Sequence, residues 1–142
     1  LYMQALQTIR AQLAQQQGIN QAFVLESFAA VELGLGHAAQ GLDAIAKAQA
    51  IVDRSGDQSY GPEDMEANAA LYAESQRPDL AVPLLAKALA SPSIGYDYSP
   101  VLLWLDPAWD PIRHDPRFQA LLEQYANYEP AVTYPTSPAA SY

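Results

Sequence analysis

Three aspartates, each directly before a proline, stand close to a histidine: Asp106-Pro107, Asp110-Pro111, His114 and Asp115-Pro116. Carboxylate and imidazole groups are donors that divalent metals accept. Proline accounts for the same aspartates without a metal. An Asp before Pro starts a helix, because the carboxylate accepts orphan amide hydrogens while the ring presets φ. The three steps are therefore read as helix starts, and no metal ligand is assigned. Arg113 and Arg117 are read as ion-pair partners of these carboxylates, with an anion site as the alternative. His37, beside Gly36, is read as a surface residue at a turn. Two histidines far apart, with no cysteine, give no zinc spacing. There is no Gly-x-Ser-x-Gly elbow, and Gly34-Leu35-Gly36 lacks both the third glycine and the strand of a phosphate loop. Neither a catalytic set nor a cofactor is expected.

The bulk numbers agree with a binding role. In 142 residues, 16 acidic and 7 basic side chains leave a formal charge of −9. That disfavours nucleic acid and anionic membranes, which are held mainly by Lys and Arg, and suits a basic or neutral partner. Without cysteine there are no disulfides or thiolates, and both reducing and oxidising compartments stay open. The longest apolar runs, such as Val101 to Leu105, fall far short of the ~20 residues that span a bilayer. No signal peptide is visible, and a chain opening on Leu1 is expected to be the C-terminal part of a longer protein, with any anchor, catalytic or DNA-binding domain upstream.

The elements that must position any site are helices. Tyr2, Leu6, Ile9 and Leu13 form one apolar stripe, followed by Gly18 as a left-handed helix end and Asn20 as the next N-cap. From Gln21 to Leu35 the main stripe is Val24, Phe28, Val31 and Leu35, broadened by Phe23, Leu25 and Ala29. A helix over 38–54 carries Gly41, Ile45, Ala48 and Val52, with Asp43 and Lys47 paired on its exposed side. Residues 55–62 read as a loop in which Tyr60 stands, and Pro62 suits the first turn of a helix over 63–76 with Met65, Ala69, Tyr72 and Ala73 inward. Arg77-Pro78-Asp79 is a tight connection with Asp79 as cap. The next helix repeats the small-large-small pattern as Ala81, Leu85 and Ala88, so Pro83 requires a nearby start or a distortion. Ser91-Pro92 stops it, and 93–98 is a loop. Ser99-Pro100 opens a short apolar helix, and Trp104, Trp109, Ile112 and Phe118 are the expected anchors of the segment beyond. The last helix places Phe118, Leu121, Leu122 and Tyr125 on one face. Residues 129–142, with three prolines, read as an extended tail.

The helix pairs resemble the tetratricopeptide repeat family, whose units of about 34 residues carry small, large and small residues in the second helix. Gly41, Ile45 and Ala48 match in one pair, and Ala81, Leu85 and Ala88 in the next, with Tyr72 at the aromatic position of the first helix. Glu32 replaces that tyrosine in the first pair, and the loop over 55–62 explains the 40-residue offset. The order Leu-Asp-Pro, Trp-Asp-Pro, Asp-Pro-Arg-Phe over 103–122 looks like the closing segment of such arrays in large bacterial signalling proteins. There the arrays follow a winged-helix, Ser/Thr kinase or cyclase domain. The resemblance implies an all-α, right-handed array of about two and a half helix pairs over 1–128, capped by short helices from residue 99. It also places Glu26, Glu63, Glu66, Ala70 and Glu74 on the concave side, as a surface for a protein or peptide partner. That partner would be basic or amide-rich, or another domain of the same polypeptide. The alternative is the sensory domain of a membrane-anchored signalling protein, with a small-molecule pocket lined by the loop with Tyr60, or by Tyr96 and Tyr98.

Overall fold

The chain is described here from a computed structural model that covers residues 2–57, 59–91 and 99–126. The expected tail, the loop 93–98 and Pro92 lie outside the described residues. Within them the protein is all-helical, without strands. The helices are α1 (Tyr2–Leu13), α2 (Ile19–Gly34), α3 (Ala38–Ser55), α4 (Gly61–Glu74), α5 (Pro78–Leu89), α6 (Pro100–Leu105), a 3-10 helix (Pro107–Ile112) and α7 (Pro116–Ala126).

Two hairpins, α2 with α3 and α4 with α5, form the body. Gly41, Ile45, Ala48 and Val52 are buried on α3, and Ala81, Val82, Leu85 and Ala88 on α5. The small residues set the distance. A Cβ at Gly41 would lie 2.6 Å from Leu33 Cδ2 and 2.7 Å from Leu33 Cγ, so α2 approaches α3 where a side chain is missing. Helix α4 packs on α3, on α2 and on the 3-10 helix, α1 lies against α2, and α7 rests on α5 and α6. Asp53 and Lys87, 2.6 Å apart, tie α3 to α5 at the surface.

The two hairpin turns are built alike, forty residues apart. Gly36 (φ 80°) follows α2, with the His37 amide donating to the Glu32 carbonyl at 2.8 Å. Gln76 (φ 55°) follows α4, with the Arg77 amide donating to the Tyr72 carbonyl at 2.9 Å. Both are left-handed C-terminal caps, and only the first has glycine. Gln76→Gly is therefore expected to stabilise the fold by about 0.5–1 kcal/mol, by removing the Cβ penalty of the left-handed region. A chemical denaturation midpoint no higher than the parent's would count against that reading of the turn.

Several sequence expectations need correction. The most buried line of α2 is Ala22, Leu25, Ala29 and Glu32, one step round from Val24, Phe28, Val31 and Leu35. Close-packed helices meet along their smallest residues, so the bulky line is displaced to the flank. Phe28 is covered there by the Arg10 guanidinium, 5.9 Å from its ring centre, while Phe23 is exposed. Gly18 has a positive φ but precedes α2 rather than ending α1, and Asn20 lies inside the first turn instead of capping it. Arg77 occupies the N-cap of α5, and Asp79 binds the Arg77 guanidinium. Pro83 sits within α5 on its exposed side, where the helix forgoes one amide hydrogen bond. Helix α4 begins two residues earlier than expected, with Pro62 in its first turn.

At the C-terminal end Asp106 and Asp115 cap as expected, accepting from the Ala108 and Arg117 amides at 2.9 Å each. Asp110-Pro111 starts nothing: it lies inside the 3-10 helix, and Asp110 pairs with Arg113. Trp109, Ile112 and Phe118 are buried, with Trp109 stacked on Phe118 at 5.5 Å between ring centres. Trp104 is not an anchor. It is 39% exposed, under the Arg113 guanidinium, because a six-residue helix buries one line and Leu103 occupies it.

Candidate binding groove

A concavity lies where α2, α4 and the 3-10 helix meet. It is a cavity of about 690 Å³, walled by Ala30, Ala67, Ala70, Leu71, Pro107, Ala108 and Pro111, with Glu26, Ser27 and Glu74 as its polar members. Three of the five residues expected on the partner face, Glu26, Ala70 and Glu74, meet here. The other two do not. Glu66 is half-buried beside Asp106, and Glu63 is exposed outside the cavity.

Behind Glu26 stands a polar group that the sequence reading passed over. Asp64 and Asn68, one turn apart on α4, are both buried, and the Asn68 amide donates to Gln49 Oε1 on α3 at 3.1 Å. Three oxygens in this region, Glu26 Oε1, Asp64 Oδ2 and Asn68 Oδ1, are buried without a donor among the described residues. Burial first, and then the charge of Asp64, push the Glu26 carboxyl up to about 8, against a smaller opposite pull from the Asn68 amide. Burial, with Asp57 and Glu63 adding, raises Asp64 to about 6. Burial and Asp106 raise Glu66 to about 7. Acceptors predominate here.

No known protein family, curated protein or solved structure matches the chain. The chemistry of the groove is therefore read from its own residues. Ser27 is the hydroxyl on the cavity wall, and it donates to the Phe23 carbonyl at 3.1 Å. No histidine lines the cavity. Among the described residues no cluster of His, Asp and Glu can hold a metal, and no helix is long and apolar enough to cross a membrane. Arg113 and Arg117 are engaged by Asp110 and Asp115, as expected of ion pairs. Tyr60 is exposed and lines none of the described cavities; Tyr96 and Tyr98 lie outside the described residues.

Glu32 was also missed. It is 2% exposed although charged, and it binds His37 Nδ1 at 2.6 Å and Arg10 at 3.6 Å. It occupies the position forty residues before Tyr72, so one buried slot takes a tyrosine in one hairpin and an ion-paired carboxylate in the other. Its part is to fasten α1 and the α2–α3 turn. A second, smaller concavity of about 270 Å³, lined by Pro100, Val101, Trp104, Leu105, Leu122, Glu123 and Ala126, is almost wholly apolar.

Proposed function

We propose that this chain is a non-catalytic binding module, a tetratricopeptide-like stack of two helix hairpins with a half-pair before and a short-helix cap behind. It holds a protein segment, or another domain of its own polypeptide, in the groove between α2, α4 and the 3-10 helix. On this reading it serves a bacterial signalling or transcription-regulatory protein. The observation that carries the proposal is the cavity itself. Its apolar floor and two glutamates lie between the first helices of successive hairpins, where a stacked array offers its concave side. The like-built turns forty residues apart support the repeat.

The test is selection of displayed random peptides on the immobilised protein, followed by affinity measurement on wild type and Ala70→Arg. Ala70 is only partly buried, so the variant is expected to fold, as circular dichroism will verify, while the new side chain fills the cavity. Loss of at least about tenfold in affinity, or about 1.4 kcal/mol, is expected. Peptides that bind both proteins equally, or no enriched peptide at all, would remove the proposal.

A further inference from the structure

We infer that the segment following α7 docks, through Pro130, Val132 and Tyr134, on the apolar groove between α6 and α7 and so covers the C-terminal end of the stack. The inference goes beyond the α2–α4 groove and shares no lining residue with it. The docking groove lies between Val101, Trp104 and Leu105 of α6 and Leu122 and Ala126 of α7. At about 270 Å³ it falls below the roughly 300 Å³ at which small-molecule pockets begin, and its surface is almost wholly apolar. Of the eight large apolar residues exposed among the described residues, four stand on this one short helix: Val101, Leu102, Trp104 and Leu105. Single exposed apolar residues are ordinary, but a row of them calls for a cover. A stacked array has that need at its terminal unit, whose outward face must be screened from water.

Three facts name the occupant. The described structure ends at Ala126, which is itself a wall of the groove, so the chain that follows leaves from the site. Sixteen residues follow, 127–142, and Glu129 is the one charged side chain among them, as an apolar groove requires. The sequence also sets Pro130, Val132 and Tyr134 two apart, a spacing that an extended backbone brings to one face. Pro130 and Pro135 bias Glu129 and Tyr134 toward extended backbone and lack amide hydrogens, which suits a segment laid on side chains rather than paired in a sheet. The length is sufficient. Extended, residues 127–129 reach about 10 Å and 130–134 about 16 Å more, whereas α6 is about 9 Å long. Attachment at the rim gives the segment a high effective concentration there, so a contact too weak to hold a free peptide is enough.

The chain has no cysteine, so a single one can carry a probe. The experiment uses the intact chain with Ser137→Cys bearing a nitroxide, and reads the paramagnetic broadening of backbone amides by NMR. Strong broadening is expected at Val101, Trp104 and Leu105, which stand on a different helix from the point of attachment. Adding Val132→Asp and Tyr134→Asp should lower the ratio of docked to undocked chain by at least about tenfold, the worth of one buried valine, and the α6 broadening should fall accordingly. Val101→Asp, on a residue already exposed and therefore expected to fold, should release the segment from the other side, as read at Trp104 and Leu105. Broadening confined to the last turn of α7, which any tethered segment passes, would overturn the inference. So would α6 broadening that both sets of substitutions leave unchanged. A mixture of spin-labelled chain with isotope-labelled chain lacking the nitroxide tests a second copy as the occupant. Broadening of α6 in that mixture as strong as within one chain would assign the groove to a neighbouring molecule and end the inference. Each of these failures leaves the reading of the α2–α4 groove untouched.

Discussion

Trp109→Ala is expected to lower the unfolding free energy by about 3–5 kcal/mol, a large part of what a domain of this size possesses. The indole is fully buried, stacked on an equally buried Phe118, on a 3-10 helix that packs against α4. Removing it opens a cavity where the terminal segment closes on α4, and a 3-10 turn that contains Pro107 and Pro111 has little freedom to collapse into it. Trp109→Phe should cost much less, about 1–2 kcal/mol. The indole Nε1 is buried without an acceptor among the described residues, so the change forfeits no hydrogen bond and removes a stranded donor. Trp104→Ala, on the exposed tryptophan five residues earlier, should change stability by less than about 1 kcal/mol. Urea denaturation of the three variants decides the matter. Equal losses for Trp109→Ala and Trp104→Ala would mean that the cap is not held as described.

The contrast between those two tryptophans marks what could be read in the sequence. Both stand beside Asp-Pro steps, and residue type treats them alike. Only the tertiary arrangement decides which one α4 covers. The hairpins were easier, because Gly41, Ala48, Ala81 and Ala88 carry their own spacing signal, and small residues at helical intervals have few uses besides close approach. The same effect misled the reading of α2. Its smallest residues, Ala22 and Ala29, go deepest, and a search for bulky stripes therefore points one position off. The groove was half legible. Glu26, Ala70 and Glu74 follow from the repeat resemblance, but Asp64 and Asn68 do not, since an acid near the start of a helix reads as a dipole-favoured surface residue. Asn68 at 68, between inward Met65 and Ala69, was the available signal: a polar residue on the inward side of an otherwise alanine-lined helix.

The buried acids make stability depend on pH in a direction opposite to ordinary acid denaturation. Folding raises Glu26 to about 8, Glu66 to about 7 and Asp64 to about 6, so between pH 4 and 8 the folded chain holds more protons than the unfolded one. Stability from these groups is complete below their unfolded values near pH 4. It is lost as the pH climbs through the folded values, and the loss levels off above about 8. Part of Glu26 faces solvent in the cavity, which screens its charge, so its share of the fall is on the order of 2 kcal/mol. Asp53, Asp79 and Asp115, held low by hydrogen bonds from Lys87, Arg77 and Arg117, act the other way and lose their contribution below about pH 4. Asp53 and Asp79 are exposed and Asp115 is partly covered, and such surface pairs contribute little, so the maximum should fall in mildly acid solution, near pH 4–5. Glu26→Gln mimics the protonated carboxyl. It should match the parent at pH 5 and exceed it by about 1–2 kcal/mol at pH 9, with a correspondingly shallower slope between. Denaturation midpoints across that range supply the measurement. A parent stability that stays level or rises from pH 5 to 9, or a Glu26→Gln variant that declines as steeply as the parent, would show that the Glu26 carboxyl is not desolvated by α4 as described.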